Sequence, residues 1–472
     1  MIATAQQVRA CILGSIPERL YDEAVESRYM YVPDSHIRAL DPNRALVVGG
    51  RGTGKTFWWE TLSSNGLGAR LLSRFFDARN EGLQYEVSVG YGAKAVSVER
   101  PPDADTLATL FAEFPERVVW KAIVLRRVAS QHLHGSWRDS VRWVDGHPEE
   151  TSRMLAEADE TLFREKRRHL IVFDAIDRTS MLWRDVVRAH RGLFGLLLDL
   201  WGMRAIRAKA FVRLDVLVDP EVFRFPDASK LETAAVELVW HRTDLYGLLF
   251  QYLANSNAEA PAFRSFSQVA WKERSDGNTW DVPELLRWSD AAQRDIWYRI
   301  AGHWMGANER RGDTYRWLTN HLADAFGKVS PRSFLAAVRA AASATSYSDS
   351  DAIHYRAIQE GVRGAADIRA REIREDFPWA ERALGALRGL VVPCDAGEII
   401  DAWEVANLGE LLDADAEARR RRRSGSDLSG VIDDLADLGV MQRLPGGRIN
   451  VPDVYRLRFG IKRKGGVPAR RP

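Results

Sequence analysis

The sequence predicts an α/β fold in which a parallel sheet carries helices on both faces and is followed by a helical region and a smaller C-terminal unit. The apolar run Ala45–Val48 has the composition of a buried parallel strand and leads into a glycine-rich turn. A second run, His169–Phe173, contains four consecutive apolar residues and is closed by Asp174. Segments of helical periodicity separate these runs, and alternating strands and helices are typical of a parallel sheet.

Composition restricts the class of protein. A chain of 472 residues exceeds one compact core and is expected to form two to four domains. The net charge of +2 predicts no global attraction to nucleic acid or to a membrane. Cys11 and Cys394 lack metal-ligand spacing, which indicates a reducing compartment and no structural zinc. Without a long apolar run or a signal-peptide pattern, we expect a soluble cytoplasmic protein with no membrane contact.

The turn after the first strand matches the spacing G-x-x-x-x-G-K-[ST] of a phosphate-binding loop. Its residues are Gly49, Gly50, Arg51, Gly52, Thr53, Gly54, Lys55 and Thr56. Backbone N–H groups of such a loop surround a β-phosphate, Lys55 reaches the β/γ oxygens, and Thr56 offers a hydroxyl to Mg²⁺. The alternative is an unoccupied turn between strand and helix. The loop predicts a site for a nucleoside triphosphate, and at least one of Trp58 and Trp59 is expected in the core rather than stacked on the base.

Further elements follow the loop in order. Tyr85–Tyr91 alternates in polarity and is expected to be an edge strand. The apolar spacing from Glu116 to about His132 predicts a helix. The stretch from Gly135 to Glu150 is rich in Trp, His, Asp and Gly, which indicates a loop or an insertion.

Asp174 closes the buried strand at its carboxyl end, the edge of an open α/β sheet where ligands bind. We therefore expect Asp174 to hold Mg²⁺ opposite Thr56, as a Walker B aspartate does; the alternative is a helix cap. Ala175 follows where many hydrolytic enzymes carry a glutamate that orients water. Asp177 is the nearest substitute, either as a base or as a helix cap paired with Arg178, so hydrolysis is expected to be slow.

Two arginines are candidate sensors of the γ-phosphate. Arg213 ends the predicted strand Lys209–Arg213 and either reaches the γ-phosphate or pairs with Asp215 at the surface. A last strand, Val236–Trp240, precedes a long stretch of helical periodicity. Within it, Ser330 and Pro331 mark a helix start, so Arg332 lies in a first turn, where a cation opposes the helix dipole. Arg332 is expected either to reach the nucleotide as a second sensor or to form a salt bridge.

The C-terminal region predicts a helix at Leu428–Leu438 followed by strands at Val440–Leu444 and Arg448–Val451, the order of a winged helix. A charge run at Arg419–Arg423 precedes it and indicates a surface loop or linker. Basic residues then gather at the end of the chain: Arg456, Arg458, Lys462, Arg463, Lys464, Arg470 and Arg471. They would suit DNA phosphates, but solvated tails and protein-binding winged helices share this composition.

The loop at Gly49–Thr56, the strand end at Phe173–Arg178, the strand Phe211–Arg213 and the Trp240 strand together resemble bacterial P-loop ATPases related to the KAP and STAND groups of the AAA+-like NTPases. That resemblance implies a nucleotide domain, a helical lid and a winged helix that form a switch. Ala175 departs from the pattern, because KAP members often have a second aspartate there. Relatives in bacterial conflict systems imply a regulatory or anti-phage defence role.

The predicted domains follow from this layout. They are a helical leader at 1–40, a P-loop nucleotide-binding domain at 41–245 with an insertion at about 80–165, a helical lid at 246–345, and a helical linker with a winged-helix-like domain and basic tail at 346–472. The predicted function is an ATP-binding and ATP-hydrolysing switch that uses Mg²⁺ and controls a protein effector, with Mg·ATP between nucleotide domain and lid. The alternatives are an ATP-dependent DNA-binding protein and an oligomeric, nucleotide-sensing scaffold with little turnover.

Overall fold

The structure is a computed structural model, and it describes residues 4–18, 26–64, 66–76, 82–92, 101–130, 133–180, 182–256, 258–274, 277–346, 350–415 and 427–463. The chain divides into a sheet unit, Val32–Val239, and a helical unit, Met1–Tyr31 with Trp240–Pro472. The leader expected at residues 1–40 is shared between them. Helix α1 (Ala5–Ser15) belongs to the helical unit and α2 (Asp34–Leu40) to the sheet unit.

The sheet unit is built on five parallel strands in the order β2-β3-β4-β1-β5. Their bounds are Leu46–Gly49 for β1, Gln84–Tyr91 for β2, Arg167–Phe173 for β3, Ile206–Arg213 for β4 and Val236–Glu237 for β5. The predicted parallel sheet is confirmed, and β2 lies at its edge as expected. Because Gly49 is in register with Arg213, the phosphate-binding loop and the end of β4 emerge side by side.

The helices of the sheet unit follow in chain order. Helices α3 to α11 are Lys55–Ser63, Leu67–Phe76, Ala104–Glu113, Glu116–Val128, Trp137–Gly146, Pro148–Arg164, Trp183–Trp201, Leu214–Leu217 and Ala228–Thr233, with 3₁₀ turns at Ile176–Arg178 and Pro220–Phe223. Of the two alternatives for Gly135 to Glu150, the loop is wrong, since α7 and the start of α8 occupy the stretch, and the insertion stays a prediction. Ser136 and Asp139 form a reciprocal capping box that starts α7 despite the polar composition.

Helices cover both faces of the sheet, which confirms the predicted layering. Val48, Ile171 and Val212 share one hydrophobic cluster with residues of α6 and α9. Alternate strand residues point the other way. On that face Trp59 of α3 is buried and its indole N–H donates to Val172 O over 3.4 Å. Trp58 is also buried, so both tryptophans are core residues, where at least one was expected.

The helical unit has a large core formed by α1 and helices α12 to α18. These helices are Arg242–Ala254, Ala260–Ser267, Glu284–Trp288, Asp290–Ala301, Thr314–Leu322, Pro331–Ala344 and Tyr355–Asp376, with 3₁₀ turns at Ser27–Tyr29 and Glu309–Arg311 and a short antiparallel pair of β6 (Lys272–Glu273) and β7 (Trp280–Asp281). No helix in the described part of the chain is long and apolar enough to cross a bilayer.

A second core in the helical unit holds the C-terminal elements. They are α19 (Pro378–Gly385), β8 (Val391–Val392), α20 (Ala396–Val405), α21 (Leu408–Ala414), α22 (Leu428–Asp437), β9 (Gln442–Arg443), β10 (Ile449–Asn450), α23 (Asp453–Phe459) and β11 (Lys462–Arg463). β9 and β10 pair antiparallel, so the predicted helix followed by a hairpin is present. The winged-helix assignment stays a prediction. The charge run Arg419–Arg423 and the tail beyond residue 463 lie outside the described residues.

Candidate functional site

The predicted phosphate-binding loop joins the end of β1 to the first residue of α3. Gly54 has a φ of 100° and Gly52 a φ of 75°, backbone conformations that L side chains rarely adopt. A Cβ on Gly49 would lie 2.3 Å from Thr53 Oγ1, so a larger residue there would collide with the loop. Thr53 itself donates its hydroxyl proton to Gly50 O over 2.9 Å. The glycine spacing thus produces a tight turn that leads straight into a helix N-terminus, a geometry that favours an anion.

Lys55 lies folded over this turn. Its ammonium group donates to Gly49 O over 2.8 Å and to Gly50 O over 2.7 Å. Burial lowers the pKa of Lys55 to about 8, and the nearby Asp174 carboxylate partly opposes that shift. A phosphate would offer the ammonium a full negative charge in place of two carbonyl dipoles.

Asp174 and Thr56 meet at the carboxyl edge of the sheet. Thr56 donates its hydroxyl proton to Asp174 Oδ2 over 2.8 Å. The backbone N–H of Asp174 donates to Tyr91 O over 3.0 Å, which holds the strand end beside β2. Asp174 is 3% exposed. Burial raises its pKa to about 6, against the opposing effects of the Thr56 hydrogen bond and of Lys55.

These two oxygens suit a magnesium ion. Neighbouring ligands of an octahedral Mg²⁺, each about 2.0–2.1 Å from the ion, lie roughly 2.9 Å apart. Thr56 Oγ1 and Asp174 Oδ2 already have nearly this separation. Among the described residues, no group of three or more His, Cys, Asp and Glu side chains could hold a metal ion alone. Water and phosphate oxygens would therefore complete the coordination, as is usual for Mg²⁺.

Asp177, Arg213 and Asp215 form a charged cluster at the same edge. Arg213 Nε and Nη2 donate to the two carboxylate oxygens of Asp215 over 2.9 and 2.8 Å. Arg213 Nη1 lies 3.5 Å from Asp177 Oδ2. Burial acts to raise the pKa of Asp215, but the charge and hydrogen bonds of Arg213 together with the charge of Lys55 and a backbone hydrogen bond lower it below its usual value. The ion pair between Arg213 and Asp215, which was the alternative to a sensor role, is present and partly buried. Asp177 contacts the same guanidinium.

Ala175 separates the metal ligand candidate from this cluster. It has a φ of 57°, in the left-handed region that a residue with a Cβ enters at a cost of about 1–2 kcal/mol. The 3₁₀ turn Ile176–Arg178 follows directly. This strained residue turns the chain so that Asp174 and Asp177 both lie at the edge of the sheet. Ala175 itself supplies no carboxylate.

Arg332 lies in the helical unit, in the first turn of α17 as predicted. Its Nη1 donates to Glu372 Oε1 over 2.9 Å, and Arg369 Nη1 donates to the other oxygen, Oε2, over 2.8 Å. Glu372 is buried. The structure thus shows the salt bridge that was the alternative to a sensor, and the sensor role of Arg332 stays a prediction.

Sequence reasoning did not find Lys209, which is fully buried in the middle of β4. Its ammonium group donates to Ala39 O over 2.6 Å, to Asp41 O over 3.0 Å and to Arg44 O over 2.5 Å. Lys209 therefore fixes the segment that leads into β1 and the loop. A lysine inside an apolar strand is the sequence feature that could have revealed it.

Comparison with known proteins finds similarity to solved structures only. No family model and no curated protein matches the chain. The Aeropyrum pernix ORC2 protein in ADPNP-ADP complexes is 14% identical, with a TM-score of 0.40 over 92% of this chain and 95% of its own. The Aeropyrum pernix ORC1 protein in complex with DNA is 14% identical, with a TM-score of 0.33 over 94% and 93%. CDC6P from Pyrobaculum aerophilum is 14% identical, with a TM-score of 0.26 over 92% and 95%. Such values assign the chain neither to a family nor to an activity.

Proposed function

We propose that the sheet unit binds Mg·ATP and hydrolyses it slowly. The observation that carries this proposal is the hydrogen bond from Thr56 to Asp174 beside a loop that Lys55 covers. It brings a hydroxyl, a carboxylate and an ammonium group together where a triphosphate on the loop would need them. A chance glycine-rich turn would not require a buried carboxylate aligned with the first turn of the next helix.

Each residue has a defined task in this proposal. Loop N–H groups bind the β-phosphate, and Lys55 exchanges its two carbonyl partners for phosphate oxygens. Thr56 and Asp174 would hold Mg²⁺, which neutralises charge on the phosphates when it is bound. Asp177 orients the attacking water, and Arg213 contacts the γ-phosphate. Because Ala175 supplies no carboxylate, catalysis rests on Asp177 and turnover is slow.

Phosphate release from ATP by purified protein tests the proposal. Wild type should release phosphate in a Mg²⁺-dependent manner, and Lys55→Ala should abolish release. Lys230→Ala is a matched control, because Lys230 is exposed and pairs with Asp227 over 2.9 Å. Undiminished turnover in Lys55→Ala would remove the site from the account. Asp177→Asn tests the base, and wild-type turnover in that variant would reduce Asp177 to a structural role.

The proposed biological role is a nucleotide-dependent switch of a bacterial regulatory or anti-phage defence system that controls a protein effector. Its support is the sequence resemblance together with the guanidinium of Arg213 beside the loop strand. Arg332 would act as the second sensor, which requires it to leave Glu372. Arg332→Ala should then weaken nucleotide-dependent effector recruitment but not binding of ADP. A scaffold that only assembles would instead show an ATP-dependent mass increase without turnover.

DNA binding through the C-terminal elements remains the alternative. The charged residues that the structure describes there differ in whether they could contact a phosphate. Helix α22, which precedes the hairpin, carries Asp433, Asp434 and Asp437 and no Lys or Arg. Arg456 is fully buried and donates to Asp453 over 2.5 Å, so it is not at the surface to contact a phosphate. Lys462 is exposed. Truncation after Tyr455 should weaken DNA binding and flatten its salt dependence if this alternative holds.

A further inference from the structure

Among the residues that the structure describes, two carboxylates contact the guanidinium of Arg213 with unequal geometry. Asp215 engages it through two parallel hydrogen bonds of 2.9 and 2.8 Å from Nε and Nη2. Asp177 approaches a different nitrogen, Nη1, and only to 3.5 Å. A two-bond pair fixes the plane and direction of a guanidinium, whereas a single longer contact does not. Of these two carboxylates, Asp215 therefore constrains the orientation of Arg213 more strongly.

The backbone explains why this pair forms beside the loop. Arg213 is the last residue of β4 and is in register with Gly49, the residue that begins the loop. Asp215 lies two positions later in α10, so a short turn brings its carboxylate back to the guanidinium. Only 19% of the Arg213 side chain and 15% of the Asp215 side chain are exposed, so solvent screens the pair weakly.

We propose that Asp215 is a positioning residue that aims Arg213 at the γ-phosphate, and that the γ-phosphate takes the place of Asp177 on Nη1. This inference rests on the proposed function. Arg213 keeps its two hydrogen bonds to Asp215 with and without a bound triphosphate. Only its longer contact with Asp177 is replaced, by a contact with the γ-phosphate. Release from Arg213 then leaves Asp177 as a carboxylate able to orient water only when a γ-phosphate is bound.

A purely structural role for Asp215 predicts a loss of stability without a change in the preference for a triphosphate. Loss of its carboxylate would then lower stability, with any effect on nucleotides the same for diphosphates and triphosphates. A positioning role predicts a selective loss of the preference for a triphosphate, because ADP has no group that Arg213 could contact. The ratio of the dissociation constants for ADP and for a non-hydrolysable ATP analogue separates the two roles.

The test measures this ratio, with Mg²⁺ present, for wild type, Asp215→Asn, Arg213→Ala and the double variant. Asp215→Asn should reduce the preference for the ATP analogue about tenfold, the effect of one charge-assisted hydrogen bond, and change ADP binding less than about twofold. The double variant should match Arg213→Ala, because Asp215 acts through Arg213. Equal weakening for both nucleotides, an unchanged preference, or additive effects would overturn the proposal.

Two further variants complete the experiment. Asp219→Asn is the structural control, since Asp219 is a nearby aspartate that accepts from the Trp183 indole N–H over 2.8 Å; it should keep the preference. Should Asp215→Asn fail to fold, Asp215→Glu tests the same role, because it keeps the charge but moves the carboxylate by one methylene away from the geometry of the two parallel bonds; it should also reduce the preference, and an unchanged preference would overturn the proposal. Absence of binding of either nucleotide to wild type would instead refute the proposed function.

Discussion

Thr56 donates its hydroxyl proton to Asp174 Oδ2 over 2.8 Å, although 118 residues separate the two in sequence. The contact joins the first turn of α3 to the end of β3. It exists because the sheet interposes β4 between β1 and β3 and still aligns their carboxyl ends. In the proposed function, this carboxylate and this hydroxyl would hold Mg²⁺ together with oxygens of a bound triphosphate.

The first prediction concerns magnesium. Asp174→Asn keeps the size of the side chain and removes its charge, so Mg²⁺ should no longer strengthen ATP binding. Binding without Mg²⁺ should change less than about twofold, since the loop and Lys55 are untouched. Titration of a fluorescent ATP analogue with and without Mg²⁺ measures both values. Asp105→Asn, at an exposed position of α5, is the control and should behave as wild type. Retained Mg²⁺ stimulation in Asp174→Asn would exclude Asp174 as a ligand.

A second prediction is a pH dependence of the magnesium effect. Burial raises the pKa of Asp174 to about 6, so in the nucleotide-free protein the carboxylate is present above that pH and lost below it. Stimulation of binding by Mg²⁺ should therefore fall by roughly tenfold as the pH is lowered from 7 to 5. The same measurement on Asp174→Asn, which lacks the titrating carboxylate, gives the pH dependence that arises from protonation of the nucleotide. A decline seen only near pH 4, the range of an ordinary aspartate, would contradict this account.

Nucleotide binding should also take up protons near pH 8. Burial lowers the pKa of Lys55 to about 8, so about half of the lysine is neutral at that pH. A bound phosphate favours the ammonium form and raises the pKa again, which requires uptake of about 0.5 proton at pH 8. Calorimetry in buffers of different ionisation enthalpy, with Mg²⁺ in excess, measures the uptake. At pH 6.5 it should disappear, and equal uptake at both pH values would contradict the role of Lys55.

Lys209 makes a prediction about stability. Lys209→Met keeps an unbranched side chain, one heavy atom shorter, but removes three hydrogen bonds to the segment before β1, which should lower the free energy of unfolding by about 3 kcal/mol. Chemical denaturation measures the loss, and Lys230→Met at an exposed position should cost less than about 0.5 kcal/mol. An equal effect of the two substitutions would show that the buried ammonium contributes no net stability.

The sheet and the loop could be predicted from local sequence because each depends on a short pattern. The Gly49–Thr56 spacing fixes the turn. Asp174 directly follows the apolar run of β3, so its carboxylate is placed at the carboxyl end of that strand. The edge position of β2 followed from its alternation of polarity. These features need no knowledge of distant residues.

The rest depends on contacts between distant segments. Helix α7 is the exception, because its start is decided by a local signal, the capping box of Ser136 and Asp139, which the polar composition of the stretch obscured. The pair of Arg213 with Asp215 was one of two alternatives and was expected at the surface, and the approach of Asp177 to the same guanidinium requires β3 and β4 to be adjacent. Likewise the start of α17 was readable, whereas the partner of Arg332, Glu372, lies 40 residues away on another helix.

Equilibrium binding of labelled ATP in the presence of Mg²⁺ shows whether a triphosphate occupies the loop at Gly49–Thr56. Folded wild type and Lys230→Ala should bind with equal affinity, and Lys55→Ala should bind at least about tenfold more weakly because it lacks the ammonium that contacts the phosphates. No uptake of any labelled nucleotide by folded wild type, or equal affinity in Lys55→Ala, would contradict the claim that a triphosphate occupies this loop.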